Sequence, residues 1–355
     1  MATSPDVVLH IGSDKTGTTS IQQFLRRNRA ALAGRGVLYP RTPGDVRHTD
    51  LGLYSRSDQT LPESRFWRRG GHTSPDAFRR GLRRRLSREV AAVDPSTVVL
   101  SDEALFRIPA ESMLRLRGLI DGLAGQVRVV VYLRRQDDHL VSRYQQAVKL
   151  GEVLDLRAWS HRDFSGIYDY WVRLTTWQDT FQPASLAVRR FERERFPEGS
   201  LTQDFLDAAE LDVRSADLRS ITVRNESLGV EAVEMLRVLN LHQVEDEGAA
   251  PRRISNRAHV KRLRQADGGP QVTLPEADLD QFMARWSESN DRVARDLLDD
   301  PSGRLFHASR RTAGTTTEQV LDPGRLDGYL ELLEIPEEQH AAIRRIAERE
   351  ATRSG

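Results

Sequence analysis

Cysteine is absent from the 355-residue sequence, which excludes a disulfide framework, thiolate metal sites and cysteine nucleophiles. Long apolar runs are also lacking, since no segment approaches the roughly 20 residues that a helix needs to span a bilayer. The N-terminal residues MATSPDVVLHIG contain neither the basic nor the apolar region of a secretory signal. We therefore expect a soluble, cytoplasmic protein without a membrane-inserted segment. The 53 basic and 52 acidic residues nearly cancel, so net charge selects no class of partner.

Lysine is scarce as well. Only three of the 53 basic residues are lysine, namely Lys15, Lys149 and Lys261, and the others are arginine. A bias of this strength is typical of genomic composition. It nevertheless draws attention to Lys15, which lies in a glycine-containing segment, because an ammonium group and a guanidinium group are not chemically equivalent.

Short apolar segments rich in β-branched residues alternate with segments of helical periodicity over the first two thirds of the chain. This pattern predicts an α/β fold, with a parallel sheet flanked by helices. We expect a core over residues 1–240, a polar, irregular insertion or lid over 41–75, and a mostly helical C-terminal extension over 241–355 that packs on the same domain. The predicted strands span residues 7–11, 36–40, 98–100, 127–133 and 185–190, and a helix is predicted over residues 18–33. In such sheets ligands bind where strands end and helices begin.

The segment after the first strand, HIGSDKTGTT from His10 to Thr19, has the strand–loop–helix context of a phosphate-binding loop. Glycines let backbone N–H groups converge on an anion, and the N-terminus of the following helix adds its positive end. The loop is not a Walker A motif, because Gly17 is followed by Thr18 and the lysine comes two residues before that glycine.

The segment HIGSDKTGTTSIQ resembles the 5′-phosphosulfate loop of sulfotransferases that use 3′-phosphoadenosine 5′-phosphosulfate (PAPS), in the bacterial form with Lys-Thr-Gly-Thr-Thr. The resemblance implies a P-loop-like fold, PAPS as the donor and no metal. It also implies that Lys15 contacts the bridging and sulfuryl oxygens and that Gly17, Thr18 and Thr19 hold the 5′-phosphate. Gly12 and Thr16 complete the donor-binding loop.

A second segment, YLRRQDDHLVS, runs from the end of a strand into a helix and carries Arg134 and, eight residues later, Ser142. A guanidinium suits a phosphate because its planar fork donates two hydrogen bonds. In the sulfotransferase family an arginine and a serine at this spacing bind the 3′-phosphate, and the resemblance extends these roles to this pair. Arg224 is a candidate for a further phosphate contact, although Ser227 close by could instead cap the helix that begins near Gly229.

Transfer to a hydroxyl or amine requires a general base. Glu103 is the first candidate, because it follows a strand at the edge of the sheet where ligands bind. Some family members use a glutamate as the base and others a histidine. His48, in the irregular segment, is therefore the rival candidate, and His10 beside the loop is the third. Ser101 or Asp102 could alternatively cap a helix there, which would give Glu103 a structural role.

The sequence thus predicts a PAPS-dependent sulfotransferase that acts on a small-molecule, glycan or lipid acceptor. A nucleotide-dependent kinase and a non-catalytic protein that binds anionic ligands are the alternatives. Residues 65–89 hold nine arginines and two acids, which fits either a solvated helix face or a basic rim that attracts anions. No nucleic-acid-binding module accompanies these arginines, so nucleic acid is not an expected partner.

Overall fold

The computed structural model describes residues 4–221, 227–250, 254–266 and 269–354. The described residues form a five-stranded sheet in the order β2-β3-β1-β4-β5, and every neighbouring pair of strands is parallel. The strands are β1 (Asp6–His10), β2 (Val37–Leu38), β3 (Thr97–Ser101), β4 (Val127–Leu133) and β5 (Ser185–Arg190). The predicted α/β fold with a parallel sheet is confirmed.

Helices occupy most of the remaining described chain, including its C-terminal part, where a helical extension was predicted. In chain order the α-helices are α1 (Thr18–Arg27), α2 (Arg29–Ala33), α3 (Thr49–Ser55), α4 (Arg65–Arg69), α5 (Pro75–Val93), α6 (Ala110–Ile120), α7 (Gln136–Lys149), α8 (Leu156–Ser160), α9 (Ser165–Tyr168), α10 (Tyr170–Thr176), α11 (Leu201–Ala208), α12 (Val230–Glu245), α13 (Arg257–Ala266), α14 (Glu276–Ala284), α15 (Ser287–Arg292), α16 (Pro323–Leu332) and α17 (Glu337–Ser354). A 3-10 helix spans Glu103–Arg107, directly after β3. None of the helices in these described ranges has the length and apolarity needed to cross a bilayer.

The order of the strands determines where a ligand can bind. After β1 the chain builds β2 and β3 on one side of that strand and then β4 and β5 on the other. The carboxyl end of β1 is therefore a topological switch point, where the connections on its two sides diverge and leave a crevice. In register, His10 at this end of β1 pairs with Ser101 of β3 and Val130 of β4.

The apolar strands β1, β3 and β4 are buried on both faces, whereas Val188 is the one buried residue of the edge strand β5. On one face of the sheet, strand residues such as Val8 of β1 and Val130 of β4 pack in one core cluster with helix residues. The helix residues include Phe24 of α1 and Phe205 of α11. The intervening residue Leu9 points to the opposite face of the sheet and is equally inaccessible to solvent.

Two local differences from the sequence-based expectation have identifiable causes. The helix expected over residues 18–33 is interrupted at Asn28, whose side-chain amide donates to the carbonyl oxygens of Phe24 and Arg219. Such bonds compete with the helical backbone pattern. The segment 41–75, expected to be irregular, contains the short helices α3 and α4. The Ser64 hydroxyl caps α4 by accepting from the Phe66 N–H. Helices of five to seven residues are too short to show a helical periodicity in the sequence, so they were not predicted.

The chain divides into two compact units. The first comprises residues 1–134, 164–223 and 288–308, and it contains the whole sheet. The second comprises residues 135–163, 224–287 and 309–355 and is helical where it is described. Inside the second unit the buried Arg237 on α12 forms ion pairs with Glu234 (2.6 Å) and with Glu350 of α17 (3.0 Å). The predicted boundary at residue 240 stays a prediction.

Candidate functional site

The loop between β1 and α1 has an unusual backbone. Three of its residues have positive φ angles, namely Gly12 (61°), Lys15 (63°) and Gly17 (75°). Glycine adopts this region freely, whereas a lysine does so only at an energetic cost that the surrounding structure must offset. Strained residues of this kind cluster at functional sites. Lys15 is also exposed, while its neighbours Ser13 and Thr16 are buried.

Close packing requires glycine at both ends of the loop. A Cβ on Gly12 would lie 2.8 Å from Thr18 Cγ2 and 3.0 Å from both Cα and Cβ of Glu103. A Cβ on Gly17 would lie 2.3 Å from Leu201 Cδ2. Neither site has room for a side chain.

Two hydroxyl groups of the loop are buried, and the N–H groups at the start of α1 have no side-chain cap. The Thr16 hydroxyl donates to the Ser13 carbonyl oxygen (2.6 Å), which tightens the turn. The Ser13 hydroxyl oxygen is buried and has no hydrogen-bond partner among the described residues. No side chain caps the N-terminus of α1 at Gly17, so the first N–H groups of this helix remain available to an anion. The loop therefore fits a phosphate or sulfate group.

Arg134 follows the last residue of β4 and lies beside this loop, with 8% of its surface exposed. Its Nη1 donates to the carbonyl oxygen of Lys15 (3.0 Å), and its own carbonyl oxygen accepts from the Tyr170 hydroxyl (2.6 Å). Arg134 thus supports the residue whose backbone is strained. Sequence reasoning missed this contact, because nothing in the spacing of the two residues along the chain indicates it.

The other predicted phosphate ligands lie elsewhere in the chain. Ser142 is half-buried on α7 in the second unit, so its pairing with Arg134 stays a prediction. Arg224 lies outside the described residues. Ser227 is exposed two residues before Gly229, the N-cap residue of α12, and its alternative capping role stays a prediction.

Glu103 is the first residue of the 3-10 helix after β3, and Asp102 caps that helix by accepting from the Ala104 N–H (3.0 Å). The predicted cap at this position is therefore present. Glu103 itself is held by two side chains from elsewhere in the first unit. Its Oε1 accepts from Arg47 Nη1 (2.6 Å), and its Oε2 accepts from Gln22 Nε2 (3.1 Å).

Arg47 serves both neighbouring carboxylates, because its Nε also donates to Asp102 Oδ1 (2.7 Å). Burial raises the pKa of Glu103 above its usual value, and the Arg47 guanidinium opposes that rise. The pKa of the fully buried Asp102 is raised for the same reason and is opposed by the same cation. Neither Arg47 nor Gln22 was identified from the sequence. The sequence signal that could have identified Gln22 is its position: it is a polar residue on the side of α1 that carries Ile21 and Leu25, and the structure shows it buried there.

His48 and His10 are both fully buried. His48 accepts from the Ser101 N–H at Nδ1 (3.1 Å) and faces the Pro40 carbonyl oxygen at Nε2 (3.0 Å), so both ring nitrogens are occupied. His10 contacts the Ser101 hydroxyl through Nδ1 (2.8 Å). Burial lowers the pKa of each histidine to about 3. The two rings are therefore neutral at physiological pH.

A cavity of about 540 Å³ opens next to these carboxylates, lined by residues within 47–66 and 102–112. Arg47 and Asp102 form part of its wall, and apolar side chains such as Phe66 and Ile108 form another part. Arg107, also in the wall, lies 3.5 Å from the Asp14 carboxylate of the loop. The segment predicted as a lid or insertion thus lines a cavity that adjoins the loop.

Comparisons with known proteins add little to this geometry. No model of a protein family matches the chain. An uncharacterized protein of Archaeoglobus fulgidus is 27% identical over 247 residues, which cover 68% of this chain and 60% of that protein. The chain thus spans less than two thirds of that relative. A solved sulfotransferase from Alicyclobacillus acidocaldarius has a TM-score of 0.40 at 14% identity, covering 68% of this chain and 95% of that one. At this TM-score the likeness is too slight to transfer a function.

Replacing Gly17 by alanine tests the packing of the loop. Gly17→Ala adds a clash with Leu201 to the cost of a positive φ, and Gly71→Ala (φ 61°, open space around the Cβ) carries the cost of the angle alone. We expect the free energy of unfolding to fall by about 1–3 kcal/mol more in Gly17→Ala, which is the usual cost of overpacking. Urea unfolding measures this difference, and binding of inorganic phosphate should be lost only in Gly17→Ala. Equal effects of the two substitutions would show that the loop is not tightly packed.

Proposed function

We propose that this protein is a PAPS-dependent sulfotransferase, which transfers a sulfuryl group to a hydroxyl or amine of a small-molecule, glycan or lipid acceptor. One observation carries the proposal: Glu103 packs directly against Gly12 of the anion-binding loop. A candidate base and a candidate donor cradle therefore meet at one edge of the sheet. Transfer between two bound partners requires this proximity.

The loop residues support the donor half of the proposal. Gly12, Thr16, Gly17, Thr18 and Thr19 would hold the 5′-phosphate through backbone N–H groups and hydroxyls at the start of α1. The unpartnered Ser13 hydroxyl is a further donor in the same loop. The side chain of Lys15 is exposed, so it is accessible for contact with the bridging and sulfuryl oxygens. Ser142 and Arg224 remain proposed contacts of the 3′-phosphate.

The carboxylate of Glu103 supports the acceptor half. PAPS, when bound, supplies a sulfuryl group activated by its bond to the 5′-phosphate. Glu103 would accept the proton of the acceptor as the new bond to sulfur forms, and Lys15 would stabilise the negative charge left on the bridging oxygen as the old bond breaks. The products are the sulfated acceptor and 3′-phosphoadenosine 5′-phosphate. Gln22 and Arg47 would orient Glu103 as positioning residues.

The environment of each candidate base favours Glu103 over His48. The side chain of Glu103 is 20% exposed, so a substrate can reach it. His48 is buried, has both ring nitrogens occupied and titrates far below physiological pH. A base must be accessible to the proton that it removes. The cavity of about 540 Å³ has Arg47 and Asp102, the direct neighbours of Glu103, in its wall and is our candidate for the acceptor site.

The proposal is tested by incubating the protein with PAPS labelled with radioactive sulfur and a panel of glycan, lipid and small-molecule acceptors. Transfer of the label to an acceptor, without added metal, is the expected result. A parallel incubation with magnesium and ATP labelled at its terminal phosphate tests the kinase alternative. Labelling from ATP and none from PAPS would contradict the proposal.

Lys15→Ala is expected to lower the transfer rate by roughly a hundredfold or more, because a positioned cation contributes that much to stabilising developing charge. Binding of 3′-phosphoadenosine 5′-phosphate should change far less, since this product lacks the transferred group. Single-turnover kinetics and titration calorimetry measure the two effects. If binding and turnover fall equally, Lys15 only binds the nucleotide.

Arg134→Ala is expected to weaken binding of 3′-phosphoadenosine 5′-phosphate strongly and to change the affinity for adenosine 5′-phosphate little. Mutation and removal of the 3′-phosphate should therefore not be additive. Arg134 also donates to the Lys15 carbonyl oxygen, so the substitution could instead act by disturbing the loop, and the two roles predict different nucleotide affinities. Equal losses of affinity for the two nucleotides would mean that Arg134 acts by supporting the loop.

Glu103→Gln is expected to reduce turnover by roughly a hundredfold to ten-thousandfold, the usual range for a general base. The base must be ionised, so turnover of the wild type falls as the pH falls through the pKa of Glu103. Burial raises that pKa, so this acidic limb lies above the range of an ordinary carboxylate, and it should vanish in Glu103→Gln. The pH–rate profiles of both proteins provide the measurement.

His48→Gln is the matched control, and we expect it to keep the acidic limb of the profile. Melting temperatures and nucleotide affinities of both variants identify any loss caused by unfolding. A folded His48→Gln protein that has lost turnover, together with an active Glu103→Gln protein, would assign the base to His48.

A further inference from the structure

A second cavity in the first unit, of about 610 Å³, lies outside the candidate site and is strongly basic. Its wall contains five guanidinium groups and a single carboxylate: Arg26, Arg27, Arg29, Arg41, Arg219 and Asp45. We call it the arginine groove. Arg26 and Arg27 lie in the last turn of α1, nine residues or roughly 13 Å along the helix from the anion-binding loop. The groove is therefore separate from that loop.

Two of the five arginines are committed to the protein itself. Arg26 Nε and Arg29 Nη1 bind the two carboxylate oxygens of Asp45 at 2.6 Å and 2.7 Å. Arg29 also donates to the carbonyl oxygens of Tyr39 (2.9 Å) and Pro40 (3.2 Å), which fixes it in place. The side chain of Arg29 is only 14% exposed. The charge of Asp45 is thus already compensated within the groove.

The other three arginines are exposed, and no carboxylate lies within ion-pair distance of Arg27, Arg41 or Arg219 in the part of the chain that the structure describes. They come from three separate segments whose backbones are anchored. Glu89 accepts from the Arg41 N–H (2.6 Å). The buried Asn28 accepts from the Arg219 N–H (2.9 Å) and donates to the Arg219 carbonyl oxygen (3.0 Å).

Cations at the end of a helix are common, because they interact favourably with the helix dipole, and this accounts for Arg26 and Arg27. It does not account for Arg41 or Arg219, which lie on other segments yet border the same concave surface. Like charges that converge without counter-ions are unfavourable unless an anion joins them. Guanidinium groups bind phosphate and sulfate oxygens through paired hydrogen bonds.

We propose that the arginine groove binds a ligand that carries two or more phosphate or sulfate groups, bridging Arg27, Arg41 and Arg219. This site does not depend on the proposed sulfotransferase activity. Three guanidinium groups from separate segments favour a ligand with clustered anions over one with a single carboxylate. Phosphate esters and sulfated sugars share this chemistry.

Titration calorimetry with tripolyphosphate and, separately, with sucrose octasulfate tests the proposal on the full chain. The triple variant Arg27→Glu, Arg41→Glu, Arg219→Glu is expected to lose affinity by roughly a hundredfold or more, since charge-assisted hydrogen bonds are replaced by repulsion. The matched control is Arg68→Glu, Arg69→Glu, Arg80→Glu, three exposed arginines of α4 and α5. It changes net charge equally, and its affinity should stay within about threefold of wild type because none of these residues lines the groove and salt screens their charges.

Gly17→Ala separates this site from the loop, and binding at the groove should survive that substitution. Loss of binding of either probe in the groove variant alone, with unchanged melting temperature, supports the proposal. Equal weakening in both triple variants would reduce the effect to general surface charge and overturn it. Absence of binding of both probes to the wild type, or binding that only Gly17→Ala abolishes, would overturn it as well.

Discussion

The candidate site depends on the close approach of the Gly12 backbone to Glu103. β1 and β3 are parallel neighbours whose last residues, His10 and Ser101, lie side by side. Both strands end at the same edge of the sheet, and two residues further along each segment Gly12 contacts Glu103. A Cβ on Gly12 would lie 3.0 Å from Cα and Cβ of Glu103, so the two turns fit together only around a glycine. Strand pairing thus places the Glu103 carboxylate beside the loop between β1 and α1, which is the proposed anion-binding loop.

The proximity of two carboxylates to a loop proposed to bind an anion is electrostatically unfavourable, and the positive charge of Arg47 compensates the two carboxylates. The buried Asp102 and the half-buried Glu103 repel each other and would repel a bound phosphate or sulfate. A carboxylate that is removed from water without a partner is costly. Arg47 donates to Asp102 and to Glu103, so one cation from the segment before α3 compensates both. Gln22 adds a neutral donor from α1, the helix that begins at the loop. The orientation of Glu103 is thereby coupled to the helix that would bind the donor.

The sequence predicted those parts of the molecule that depend on local patterns. The β-branched residues of β1 and β4 and the glycines around Lys15 identified strands and a loop, because period and turn chemistry are local properties. Contacts between distant segments carried no such signal. The bonds from Arg47 and Gln22 to Glu103 and from Arg134 to Lys15 join residues that are 56, 81 and 119 positions apart. The burial of His48 was also hidden, because its neighbours along the chain are polar.

The two ends of α1 would serve the two proposed anion-binding surfaces by different means. At its N-terminus the backbone itself presents N–H groups and the positive end of the dipole, so an anion there would need few side-chain charges. At its C-terminus the dipole is negative and disfavours anions. An anion in the arginine groove would therefore have to be bound by side-chain charge, and the groove gathers guanidinium groups from α1, from Arg41 and from Arg219. The planar fork of arginine would supply directed hydrogen bonds that the C-terminal backbone of α1 cannot donate.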